Sequence, residues 1–295
     1  MKIILTGASG FLGRHIATYF AAEELYTLGR TSGTIIADLQ TDIPDLPKAD
    51  LVIHASGKAH VVPRTPAEAQ EFFDVNETGT KNLLTALETP EKRPGAFVLI
   101  STVAVYGLEV GSMITEDSPL AATDPYGKSK IAAEKLVQEW CKIHNVPCVI
   151  FRLPLIAGTN APGNLRSMIN GIKKGYYFNI AGGKARKSMV MACSVPEAIL
   201  PALQRGGVYH LTDGQHPSFS ELSGSIAGQL GKKEPTSIYG PLANLIAIFG
   251  SIFGRISPLN KKNYKKMIND LTFDDSKAKV NFGWQPVTVI NHFKI

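Results

Sequence analysis

Apolar positions recur along the first half of the chain in two alternating rhythms. Short runs at residues 2–6, 25–28, 35–37, 51–54, 96–100 and 147–151 have strand length, and longer stretches with helical spacing lie between them. The stretch 11–22 sets Phe11, Leu12, Ile16, Tyr19 and Phe20 along one helical face, and 66–87 and 125–144 predict two longer helices. Strands alternating with helices predict βαβ units and therefore an α/β fold, a doubly wound parallel sheet covered on both faces. Such a sheet leaves a ligand crevice at the carboxyl ends of its strands.

Past residue 155 the rhythm changes. Residues 158–163 form a Gly/Pro/Asn-rich loop, 165–174 predict a helix, and 182–187 a basic turn. Residues 208–212 predict a strand returning to the sheet, and 218–230 a helix capped by Ser218. The expected division is a nucleotide-binding domain at 1–155 and a smaller substrate-binding lobe at 156–295, with no repeat and no linker between them. An apolar run at 241–258, broken by Gly250, Gly254 and Arg255, falls short of the roughly 20 residues a membrane span requires. It is read as core packing or a lid, with a helix lying on a membrane surface as the alternative.

Composition narrows the class further. The 295 residues are 44% hydrophobic and 19% charged, with 27 Gly and 18 Pro dispersed along the chain, which excludes disordered and low-complexity proteins. Cys141, Cys148 and Cys193 are scattered without a C-x-x-C pair. That pattern implies a reducing compartment and neither a disulfide framework nor a metal site. The opening residues lack the charged and apolar regions of a leader, so a cytoplasmic location is expected. A net charge of +6 suits an ordinary basic enzyme or one that attracts phosphates. Nucleic acid is not an expected partner, because no basic run is interleaved with stacking aromatics.

Two local patterns carry chemistry. Gly7-Ala8-Ser9-Gly10-Phe11-Leu12-Gly13 joins the first strand to the first helix. Gly7 permits the tight turn, Gly10 lets backbone N–H groups approach a pyrophosphate, and Gly13 lets helix and strand pack closely. Phosphates would then lie at a helix N-terminus, where free donors and the dipole favour negative charge. The second strand ends Gly29-Arg30-Thr31-Ser32, and an arginine with small hydroxyls there suits a 2′-phosphate better than a ribose 2′-OH. NADP is thus the expected cofactor, with NAD as the alternative. Further on, Tyr126 and Lys130 stand four residues apart on one predicted helical face. An ammonium beside a phenol favours phenolate and equips the tyrosine for proton exchange with a hydroxyl or carbonyl.

These patterns resemble the extended branch of the short-chain dehydrogenase/reductase superfamily, the Rossmann-type enzymes that include nucleotide-sugar epimerases, dehydratases and reductases. The T-G-x-x-G-F-L-G start is similar to the family's cofactor loop, comprising Gly7, Ser9, Gly10, Phe11, Leu12 and Gly13. The resemblance assigns Asp38 and Leu39 to the adenine, His54, Ala55 and Ser56 to the nicotinamide ribose, and Asn76 to bracing the active-site helix. Ser101-Thr102-Val103-Ala104-Val105-Tyr106-Gly107 is similar to the family's S-S/T-x-x-V-Y-G. It makes Thr102 the catalytic hydroxyl beside Tyr126 and Lys130. Val103-Ala104 stand where family dehydratases carry Asp-Glu, which disfavours water elimination. Asn164 and Arg186 correspond to a site for a nucleotide diphosphate. Lys58 and His60 lie near it without a catalytic assignment. Leu155 and Cys193 depart from the family's Asn and Asp, while Phe273-Asp274-Asp275-Ser276-Lys277-Ala278 and Gly283-Trp284-Gln285-Pro286 match its tail.

The resemblance implies an NAD(P)-dependent nucleotide-sugar oxidoreductase acting at hexose C4, a 4-keto-sugar reductase in bacterial surface polysaccharide synthesis. A 4-epimerase is the first alternative and a non-catalytic dinucleotide sensor the second. A homodimer and peripheral membrane contact are further expectations about its partners.

Overall fold

The computed structural model describes residues 1–59, 61–239, 241 and 261–295. The chain begins β1 (Lys2–Thr6), α1 (Phe11–Tyr19), β2 (Glu24–Gly29), β3 (Ile35–Ile36) and β4 (Leu51–His54). Then follow α2 (Pro66–Phe73), α3 (Gly79–Ala86), β5 (Ala96–Thr102), β6 (Gly111–Ile114), α4 (Pro125–His144) and β7 (Cys148–Leu153). Seven parallel strands make the main sheet in the order β11-β7-β5-β4-β1-β2-β3, with β11 at Gly207–His210. The predicted returning strand is thus present, paired along β7. The order reverses between β1 and β4, the switch point at which such sheets bind ligands.

Alternation within the strands builds a core on each face. Ile3, Leu5, Leu51, Ile53 and Val98 pack with Leu12 and Ile16 of α1. The intervening Ile4, Val52, Phe97 and Leu99 pack with Leu83, Leu84, Val137 and Trp140 of α3 and α4. Both faces being covered, the strands read as continuous apolar runs.

The chain continues with β8 (Leu155–Ala157), α5 (Gly163–Lys174), β9 (Asn179–Ile180), β10 (Met189–Met191), α6 (Ile199–Leu203), α7 (Phe219–Gln229) and β12 (Ser237–Ile238), of which α6 packs into the core on the α1 face of the main sheet. After these come α8 (Lys261–Ile268), β13 (Leu271–Phe273), α9 (Ser276–Phe282) and α10 (Val289–His292). Ser218 caps α7 with a full capping box, its side chain accepting from the Glu221 N–H while Glu221 accepts from the Ser218 N–H. Phe11 packs in both the α1-face core and a separate core built from α5, α7 and α10, and so joins them. No described helix is long and apolar enough to cross a membrane. The apolar segment 242–256 lies outside the described residues, as does His60.

One predicted helix, 66–87, is broken by a π-helical turn at Asp74–Thr78. The extra residue per turn rotates Asn76 inward, where it is 2% exposed. π-bulges of this kind recur at functional sites.

Candidate active site

The glycine turn has the geometry its residue types imply. Gly7 has φ of +73°, and a Cβ there would lie 2.6 Å from the Ser56 nitrogen on the neighbouring loop. A Cβ on Gly13 would lie 1.9 Å from the Gly7 carbonyl oxygen, so β1 and α1 meet backbone to backbone. Gly10 is the N-cap of α1, no side chain caps that helix, and Ser9 and Gly10 are exposed. Free N–H donors therefore face an open cradle that a side chain would fill, which fits a dinucleotide diphosphate. Leu12 is buried behind it.

Arg30, Thr31 and Ser32 are all exposed where β2 ends. Asp38 accepts from the Gln40 N–H and amide at 3.1 Å each, while the Leu39 carbonyl accepts from Asn82 at 2.8 Å. Both residues are thereby fixed beside the open end of the sheet.

On the far side of the switch point, His54 is fully buried within a hydroxyl network. Its Nε2 is 2.9 Å from Thr80 Oγ1, whose own proton goes to the Asn76 carbonyl at 2.6 Å, so Nε2 carries the ring proton. Nδ1 then accepts from Thr6 Oγ1 at 2.7 Å. Thr6 Oγ1 in turn accepts from the Ser56 N–H at 3.1 Å, and the Ala55 N–H reaches the Thr6 carbonyl. Burial pushes His54 down to about 3, with the Lys130 charge adding to the effect.

A folded value below the unfolded one means that the unfolded chain binds more protons between pH 6.5 and about 3. Stability should therefore be fully present above pH 6.5 and be lost as pH falls through that window, by about 5 kcal/mol from His54 alone. Buried His210, lowered to about 4, acts in the same direction. Thermal unfolding followed from pH 7 to pH 4 checks this, and a His54→Gln variant should flatten the slope.

The reacting groups come from β5 and α4. Thr102 ends β5 and caps the 3-10 turn Val103–Tyr106, its Oγ1 accepting from the Ala104 N–H at 3.2 Å. Asp124 caps α4 by accepting from the Gly127 N–H at 3.0 Å, and Pro125 occupies the first turn. This places Tyr126 within hydrogen-bonding reach of Thr102. Lys130 is 5% exposed and donates from Nζ to the Ile100 carbonyl at 2.8 Å.

The expected lowering of Tyr126 is not found. Burial raises its phenol, a Thr102 hydrogen bond opposes that, and nearby Asp124 adds to it. Lys130 donates to the Ile100 carbonyl, and burial lowers its own value to about 8.

Asn76 braces this arrangement. Its amide donates to Ser129 Oγ at 2.9 Å and to the Lys58 carbonyl at 3.2 Å, while its Oδ1 accepts from the Lys58 N–H at 2.7 Å. Ser129, which the sequence patterns did not single out, bonds back to the Tyr126 carbonyl at 2.8 Å. The Lys58 ammonium is committed to Glu71.

Asn164 and Arg186 lie beyond residue 155. The cap of α5 is Pro162, so Asn164 is the second helical residue; it is exposed and lines a small cavity with Lys187 and Phe219. Arg186 forms an exposed pair with Glu221, Nη1 to Oε2 at 3.3 Å, and also donates to the His216 carbonyl. An exposed pair of this kind is worth little.

A doubly wound sheet with a glycine turn after its first strand, and a Thr, Tyr and Lys gathered where β5 meets α4, defines an NAD(P)-dependent short-chain dehydrogenase/reductase. The chain belongs to the NAD dependent epimerase/dehydratase family, whose model matches residues 3–211. It is 25% identical to a UDP-glucose 4-epimerase of Vibrio cholerae over 97% of this chain and 90% of that protein. It is 34% identical to a GDP-6-deoxy-D-mannose reductase of Pseudomonas aeruginosa over 47% of each. Among solved structures, RMD from Pseudomonas aeruginosa complexed with NADPH superposes with a TM-score of 0.71 at 22% identity, covering 99% of this chain and 96% of that one.

Proposed function

We propose that the chain is an NADPH-dependent reductase of a nucleotide-diphosphate 4-keto hexose. The observation that carries this is the convergence of Thr102, Tyr126 and Lys130 beside the glycine cradle. Residues 1–155 hold cofactor and chemistry, and 156–295 hold substrate. When bound, the nicotinamide supplies the hydride.

Thr102 Oγ1 accepts from the Ala104 N–H, and when substrate binds its proton turns from Tyr126 to the substrate's C4 oxygen. Tyr126, neutral near pH 7 because burial raises it, gives its proton to the alkoxide that forms there. Lys130 orients the cofactor's ribose and steadies the charge left on Tyr126. Gly7, Ser9, Gly10, Phe11, Leu12 and Gly13 cradle the diphosphate of the cofactor. Asp38, Leu39, His54, Ala55, Ser56 and Asn76 position its two ends. Arg186 exchanges Glu221 for the substrate's diphosphate, and Asn164 lines the nucleotide end.

The neutral phenol favours the reducing direction, because proton donation is what a reduction asks of Tyr126. The full-length likeness to a 4-epimerase favours the second reading, reversible oxidation at the same carbon. A panel of UDP-, GDP- and dTDP-sugars and their 4-keto forms separates them. Stoichiometric NADPH loss is the expected result, whereas a C4 epimer without net cofactor change would support the epimerase. The exposed Arg30 accounts for the cofactor preference: Arg30→Ala should weaken NADPH about tenfold, the size of one lost charge-assisted contact, and leave NADH unchanged. Fluorescence titration of both cofactors measures it.

A further inference from the structure

The face of α4 that carries Tyr126 and Lys130 continues one turn further to Glu134. Glu134 is 1% exposed, and every bond to its carboxylate comes from a neighbouring strand. Arg152 of β7 donates from Nε to Oε1 at 3.2 Å and Oε2 at 3.1 Å, and from Nη2 to Oε2 at 2.8 Å. Ser101 of β5 donates to Oε1. Lys130 Nζ is bonded to the carbonyl of Ile100, the residue immediately before Ser101. Ammonium and carboxylate are thus held by consecutive residues of β5, directly behind Thr102.

The charged and titratable groups around Lys130 come from three elements. His54 of β4 is buried and neutral, Tyr126 and Glu134 share the helix, and Arg152 approaches from β7. Beyond Arg152, its Nη1 donates to Tyr106 Oη at 2.9 Å and to the Glu116 carbonyl at 2.8 Å. Tyr106 Oη meets His210 Nε2 at 2.7 Å, and the Glu116 carboxylate accepts from the His210 N–H at 2.8 Å. Arg152 is therefore anchored independently of Glu134 and would stay in place, positively charged, without it.

We propose that Glu134 is a positioning residue for hydride transfer: its carboxylate, fixed by Arg152 and Ser101, keeps Lys130 in the ammonium form behind Thr102 and Tyr126. The proposal rests on the roles given above to Tyr126 and Lys130. Burial lowers Lys130 to about 8, and Glu134 is the charge that opposes this. A buried ammonium lacking such support titrates below neutrality.

The test follows the Lys130 side chain directly, by NMR of full-length protein labelled with 13C-lysine, its signal assigned by loss in Lys130→Arg. In wild type the signal should remain that of an ammonium at pH 7. Glu134→Gln keeps the size and the hydrogen-bond acceptor but removes the charge. It should lower the titration midpoint by about one pH unit or more, and move the alkaline limb of the NADPH-consumption profile with it. Glu134→Asp, which keeps the charge, should stay near wild type in both readouts. An unmoved midpoint in folded Glu134→Gln overturns the proposal. So does a neutral Lys130 at pH 7 in wild type, which decides the matter even if Glu134→Gln does not fold. If no sugar is turned over, the reductase reading fails while the Lys130 midpoint still judges Glu134.

Discussion

Tyr126→Phe should reduce kcat by about 10²–10⁴-fold, the usual contribution of a positioned acid, while NADPH affinity stays within about threefold. The substitution removes one oxygen and little else. The ring keeps its neighbour Phe72, 6.0 Å away between centroids, and the start of α4 is set by Asp124 and Pro125. Thr102 would retain its bond from the Ala104 N–H and still orient the C4 oxygen, but no proton donor would remain beside it. Steady-state NADPH consumption gives kcat, and fluorescence titration gives the cofactor Kd. A variant retaining at least a tenth of the wild-type rate would remove Tyr126 from the chemistry.

Gly13→Ala should have the largest effect on cofactor binding and on the fold together. The added Cβ would lie 1.9 Å from the Gly7 carbonyl oxygen and 2.9 Å from the Ala8 Cα, so backbone meets backbone with no flexible end to yield. Prising α1 from β1 costs about 3 kcal/mol or more, and it turns the helix N-terminus away from the diphosphate. We expect loss of NADPH binding by at least about a hundredfold, together with a lowered Tm. Gly228→Ala in α7 is the control. A Cβ there meets nothing within 4 Å, so the better helix former should stabilise by about 0.5–1 kcal/mol and leave binding untouched.

The contrast between those glycines shows what a sequence makes legible. Gly7, Gly10 and Gly13 could be read because their spacing sits between an apolar strand and an amphipathic helix, a local context. Tyr126 and Lys130 were legible for the same reason, four residues apart on one predicted face. The seven strands followed from continuous apolar runs, since a sheet covered on both sides has no polar face to alternate. Asn76 was reached through family resemblance, but the π-turn that rotates it inward left no periodic mark over 66–87.

Residue types alone predict a lowered Tyr126, whereas the burial that raises it is a tertiary property. Residue types show that an ammonium is near, whereas its direction depends on the Ile100 carbonyl thirty positions away in sequence. Glu134 is not legible in the same way because its partners Ser101 and Arg152 lie 33 and 18 positions away along the chain. Its place at the next turn beyond Lys130 was the one available signal. Arg186 stands out in a basic turn, but its pairing with Glu221 is a tertiary contact that spacing does not reveal.

Hydride transfer to C4 is tested most directly by isotope. The enzyme is incubated with a nucleotide-linked 4-keto sugar and NADPH carrying deuterium at the transferred position of its nicotinamide, and the product is analysed by NMR and mass spectrometry. One deuterium at C4 of the product, with one NADPH oxidised per sugar reduced and no transfer in Tyr126→Phe, is the predicted result. Product without deuterium at C4, or transfer that persists in Tyr126→Phe, would contradict it.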